Sequence, residues 1–143
     1  MLISDPNPHL KLQEMCDCYL ETDFRLQMAK LCKQPGPNLE EEAFRYLALA
    51  LMHTITEQAG KLSMKREKTE VKVKVESEGE KHSLPAPPVA MFNMVLAMVR
   101  AILHLEGEKG ESLLSLGLRS GAVEMRVKLR AKDDEVSLRF ELI

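Results

Sequence analysis

The side chains of this chain that could do chemistry are few and widely spaced. The four histidines are His9, His53, His82 and His104. They form no His-x-His or His-Glu-x-x-His pattern, so no helix presents two imidazoles to one zinc ion. His53 and Glu57 stand at i and i+4, in reach of each other on a helix. Such a pair could serve acid–base chemistry or half a metal site, and an ion pair or an interface contact is the preferred reading. Cys16 and Cys18 lie two apart on a helical stretch, which points their thiols about 160° away from each other. They cannot share a metal there. Leu116 to Gly121 reads LGLRSG and lacks the Gly-Lys-Ser/Thr ending of a phosphate loop, and no Gly-x-Ser-x-Gly elbow occurs. The carboxylates are scattered over polar faces and not paired inside apolar runs. No catalytic residue, metal or cofactor is expected.

One polar constellation stands out against its surroundings. Residues 87–106 read PPVAMFNMVLAMVRAILHLE, apolar from Val89 to Leu105 except for Asn93, Arg100 and His104. Residues seven or eleven apart lie within about 20° of each other on a helix, so these three form one seam. Arg100 could hold a carboxylate or phosphate there, and His104 could move a proton. The seam is a candidate pocket or interface.

These residues need elements to place them. Asp5-Pro6-Asn7-Pro8 sets up a first helix, read over His9 to Lys33 and stopped by Gln34-Pro35-Gly36-Pro37. Asn38 with Glu41 three residues on resembles a capping box, and Glu40, Glu41 and Glu42 suit the positive end of a helix dipole. The second helix is read over Leu39 to Leu62. Its main stripe is Phe44, Leu47, Ala48, Leu51, Ile55, Ala59 and Leu62, and a second stripe holds Tyr46, Leu49, Ala50 and His53. Two stripes need two partners, which predicts a helical hairpin on one side and a sheet or a second copy of the chain on the other. Lys61 to Lys68 reads as a charged exit. Val71, Val73 and Val75 then alternate with Lys72 and Lys74 as a strand, and Glu78 to Ser83 reads as a polar turn. After the apolar helix, alternation over Leu114–Leu118, Val123–Leu129 and Val136–Leu142 gives three more strands.

The predicted fold is therefore α+β, in the order α-α-β-α-β-β-β. It is one domain over 1–143, with a helical hairpin over 1–62 and a β-α-β-β-β unit over 69–143. The long apolar helix is expected at the centre, on a four-stranded antiparallel sheet whose other face is charged. That charged face should present Lys72, Lys74, Arg126, Lys128, Arg130 and Arg139, together with Glu70, Glu76, Glu124 and Glu141. Cross-strand ion pairs would account for such a mixture. Nucleic-acid reading would want aromatic side chains on it, and Phe140 has the inward parity.

Composition narrows the function classes. Net charge is −2, which gives no general affinity for nucleic acid. It is uneven, with 5 basic and 9 acidic side chains over 1–60 and the balance reversed beyond. Aromatics make up 4%, with no Trp and 9 Met, so the core is aliphatic and Met-filled. The first residues lack the pattern of a signal peptide, and Arg100 interrupts the apolar run, which disfavours a membrane span. An odd number of cysteines argues for free thiols in a cytoplasm.

The order of a strand, a long apolar helix and then antiparallel strands resembles in outline the hotdog thioesterases, whose sheet wraps a central helix. The resemblance covers element order alone and carries no catalytic residue onto this chain. Three expectations follow. The first is a non-enzymatic interaction or regulatory module, homodimeric and cytoplasmic, meeting itself or another protein through surplus apolar helix surface. The second is a small-molecule-binding protein or enzyme with a hotdog-like pocket along Asn93, Arg100 and His104. The third is nucleic-acid binding by the basic sheet face.

Overall fold

Three side chains decide how the first third of the chain is cut. The computed structural model describes residues 3–19, 22–34 and 36–143. In it Asn7, Asp23 and Asn38 each accept a backbone N–H three residues on, from Leu10, Leu26 and Glu41, all at 3.1 Å. Each caps a helix by satisfying an orphan donor of the first turn. The helices are α1 (Pro8–Cys18), α2 (Phe24–Lys33) and α3 (Leu39–Thr56). The single helix expected over His9 to Lys33 is thus two. The cue was Asp23, a capping residue inside an otherwise helical pattern. The box expected at Asn38 is present on its N-cap side.

The rest of the chain is β1 (Lys61–Glu67), β2 (Glu70–Ser77), β3 (Glu80–Leu84), α4 (Val89–Leu103), β4 (Lys109–Leu118), β5 (Gly121–Lys132) and β6 (Glu135–Leu142). All six strands form one antiparallel sheet, ordered β3-β2-β1-β6-β5-β4. The α+β class holds, and the four-stranded sheet does not. The expected charged exit is β1, where Leu62 and Met64 are fully buried. The expected polar turn contains β3, a short edge strand with one buried residue, Leu84. Three strands, not one, precede α4, so the element order shared with hotdog proteins is not the observed one.

The sheet is two three-stranded meanders joined along β1 and β6. Leu62 lies opposite Phe140 and Met64 opposite Leu138 at that seam, all four side chains fully buried. The helices cover this apolar face. α3 meets α1, α2, α4 and β1, and every residue from Ala43 to Thr54 except Arg45 is buried. α4 buries only Met91, Phe92, Val95, Met98 and Val99, leaving Ala90 and Ala101 exposed. The helix at the centre is therefore α3, and α4 is an ordinary amphipathic cover. Its hydrophobicity misled because alanines, which tolerate exposure, filled much of its outer face.

The second stripe of α3 needs no other molecule. Tyr46, Leu49 and Ala50 are at most 1% exposed and His53 is 9% exposed. Tyr46 donates its hydroxyl to the Pro85 carbonyl at 2.6 Å, and the His53 ring meets Phe24 of α2 edge-on at 6.3 Å. The chain's own segments supply the partner that this stripe called for. The premise for a dimer through it is corrected accordingly.

Both sheet edges are partly closed by helix side chains. His9, Gln13 and Asp17 repeat every four residues along α1. His9 Nε2 donates to the Ser115 carbonyl at 2.6 Å, Gln13 Oε1 accepts from Gly117 N at 2.6 Å, and Asp17 Oδ1 accepts from Arg119 N at 3.0 Å. At the other edge Arg25 of α2 donates to the Ser83 carbonyl at 3.1 Å. Unpaired edge groups recruit foreign strands, and these bonds occupy several of them.

Candidate functional site

Strand alternation sends every second side chain away from the helices, onto a face that no described helix covers. Pairing register then sorts these side chains into rows across the sheet, because residues directly opposite share a face. One row runs Lys109, Arg130, Ser137, Lys65, Lys72 from β4 to β2. The next runs Glu111, Lys128, Arg139, Ser63, Lys74, Ser83 from β4 to β3. The third runs Leu113, Arg126, Glu141, Lys61, Glu76, Lys81. Ten cations thus face three carboxylates, on a chain whose net charge is −2. The remainder of the molecule is correspondingly acidic. All six cations read from the sequence lie on this face. Lys61, Lys65, Lys81 and Lys109 join them, the first three because β1 and β3 were not recognised as strands.

The band is bounded by carboxylates. At the hairpin tips Glu135, Glu67 and Glu70 lie side by side on β6, β1 and β2. Lys65 relieves this clustering with 2.9 Å contacts to both Glu67 and Glu135. Those bonds hold its ammonium pKa above the usual lysine value, and hold the Glu67 carboxyl below the usual glutamate value. Further contacts join Arg126 to Glu111 at 3.3 Å and Lys128 to Glu141 at 3.5 Å. Such exposed pairs contribute little to stability, about 0–1 kcal/mol each, and they also orient the side chains. Arg130, Arg139, Lys74 and Lys109 have no carboxylate partner among the described residues.

An open trough of about 830 Å³ runs over the middle of this face, between the β1–β2 and β5–β6 hairpins. Ser63 and Ser137, the short side chains of the two central strands, lie within it. Lys65, Lys128, Arg130 and Arg139 line it as well, and so do the carboxylates Glu67, Asp133, Asp134 and Glu135 toward the hairpin tips.

The polar seam of α4 does not converge on one space. Asn93 is bonded to Arg66 of β1, Arg100 Nη1 donates to the Gly107 carbonyl at 2.9 Å, and His104 is the exposed left-handed cap that ends the helix (φ 55°). A gap beside α4, among Leu12, Leu47, Val99, Leu114 and Phe140, holds only about 10 Å³ and is apolar. The histidines are also dispersed, with His9 on the β4 edge, His53 against Phe24 and His82 3.6 Å from Glu80 on β3. The thiols divide likewise. Cys16 is buried and its pKa is pushed up to about 12, Cys32 is half-buried and pushed up to about 11, and Cys18 is exposed. Burial causes both shifts by disfavouring thiolate.

No protein-family model matches this chain, and no curated protein matches its sequence. No helix among the described residues is long and apolar enough to cross a membrane.

Proposed function

We propose that this chain is a non-enzymatic binding module that works through the open face of its sheet and takes a carboxylate-rich protein segment. One observation carries the reading. Three successive rows concentrate ten cations against three carboxylates on a surface that the helices leave free. Folding has assembled them from both meanders, so the band crosses the strands. Its length across six strands is about 24 Å, from spacings of about 4.8 Å.

A protein partner is favoured over nucleic acid on three grounds. The face has no aromatic ring for base stacking. The sequence pI is 6.1, far below the basic footprint of nucleic-acid binders. Glutamates bound the cationic band at the hairpin tips and would repel a polyanion running lengthwise along the strands. The band also disfavours face-to-face pairing of two copies, because like charges would meet. Free thiols on a chain of this composition suit a reducing cytoplasm.

The test is fluorescence anisotropy with a labelled glutamate-rich peptide, against generic duplex DNA and single-stranded RNA, over a salt series. The peptide should bind, and its affinity should fall as salt rises. Lys72→Glu with Lys74→Glu should weaken it about tenfold while the melting temperature stays unchanged. Failure of the peptide to bind at low salt, or tighter binding of DNA or RNA, would overturn the reading.

A further inference from the structure

The trough is more specific than the band around it. Arg130 lies directly opposite Ser137, and Arg139 directly opposite Ser63. Ser137 and Arg139 are two residues apart on β6, so the four residues occupy adjacent positions in two neighbouring rows. The rows are separated by about 7 Å, two residues of strand rise. Two short hydroxyl side chains therefore sit low at the centre of the sheet, with a guanidinium beside each.

Carboxylates share the trough, since Glu67, Asp133, Asp134 and Glu135 line it too, but none of them pairs with either guanidinium among the described residues. Glu67 and Glu135 both hold Lys65, and Glu141 holds Lys128. Asp133 and Asp134 belong to the β5–β6 turn at the rim, alongside Lys132 and Lys68. The centre thus offers two guanidiniums without carboxylate partners, with serine hydroxyls as added donors. A guanidinium presents a planar fork of donors that matches two phosphate oxygens at once. A phosphoryl group brings about −1.5 to −2 charge and three acceptor oxygens. A carboxylate brings less charge and fewer acceptors, and would leave part of this donor set unused.

We propose that the trough bounded by Arg130 and Arg139, with Ser63 and Ser137 between them, is a subsite for a phosphorylated side chain of the partner segment. The proposal rests on the reading given above. It adds that phosphorylation of the partner, and not acidity alone, sets affinity.

Three labelled glutamate-rich peptides test it, identical except for a central serine, phosphoserine or glutamate. The wild-type chain should bind the phosphoserine peptide about tenfold more tightly than the serine peptide, and more tightly than the glutamate peptide. Arg130→Lys with Arg139→Lys keeps the charge and removes the forks, and should abolish that preference, so that the serine and phosphoserine peptides bind within about twofold of each other. Ser63→Ala with Ser137→Ala should reduce the preference without changing the melting temperature. Inorganic phosphate at millimolar concentration should compete with the phosphoserine peptide. Equal binding of the three peptides would overturn the subsite and leave the acidic-partner reading standing. Failure of all three to bind at low salt would remove both. A preference unaffected by the arginine pair would place the phosphoryl group elsewhere and also overturn the proposal.

Discussion

Arg66 of β1 donates through Nη1 to Oδ1 of Asn93 on α4, joining the sheet's apolar face to the helix that covers it. Arg66 occupies the inward parity of its strand, opposite Val71 and Val136, and its Nε is buried without a partner. A buried donor without an acceptor is costly, whereas replacing both partners of a bond by apolar groups can be nearly neutral. Asn93→Ala should therefore lower the unfolding free energy by about 1–3 kcal/mol in urea titration. Adding Arg66→Met to that variant should recover most of the loss, because it removes the stranded charge and leaves apolar packing. A neutral Asn93→Ala would show that the bond contributes nothing to stability.

The three α1 side chains on the β4 edge should act together. Replacing His9, Gln13 and Asp17 with alanine removes three bonds to an otherwise open edge. The expected destabilisation is about 1 kcal/mol per bond, offset by a few tenths from alanine's helix propensity. The freed strand should also give concentration-dependent association in light scattering, where the parent chain shows less.

His53 links stability to pH. Burial lowers its pKa from the ordinary 6.5, outweighing the opposing pull of Glu57 and Asp23, while Arg25 and His82 add to the lowering. The folded state thus binds a proton less readily than the unfolded chain. The contribution of neutral His53 is complete above pH 6.5 and is lost progressively as pH falls from there toward the depressed folded value. His53→Gln removes that contribution. The difference in unfolding free energy between parent and variant should therefore shrink as pH drops below 6.5. A difference independent of pH would refute the linkage.

Thiol labelling should be sequential. Cys18 is exposed, whereas burial holds Cys16 and Cys32 as thiols, with pKa values near 12 and 11. Iodoacetamide at mildly alkaline pH should add one carbamidomethyl group, on Cys18, before any other. Mass spectrometry locates it. Early modification of Cys16 would mean that α1 opens readily from α3.

Much of the architecture was legible where side-chain period is unambiguous. The valines of β2, the alternation of β4 to β6 and the Asn38 cap each encode their element locally. β1 was not legible, because an arginine takes its third inward position and only Leu62 and Met64 mark its face. β3 was not, because an edge strand needs one buried residue and otherwise resembles a turn. The basic face was legible as a set of six cations. Its extension by four lysines and its trough were not.

The sequence by itself determined which residues are helical or extended over most of the chain, and which side of each late strand is apolar. Those properties depend on neighbours a few residues away, through backbone propensity and the periods of 3.6 and 2. Only the tertiary structure decided that α3 and not α4 is enclosed, and that Arg130 lies opposite Ser137 while Arg139 lies opposite Ser63. Enclosure depends on which elements surround a helix, and a row of side chains depends on the register between strands. Ser63 and Arg139 are far apart in sequence and adjacent only because β1 pairs with β6. No local pattern carries that information, since pairing is chosen by the burial of the whole apolar face at once.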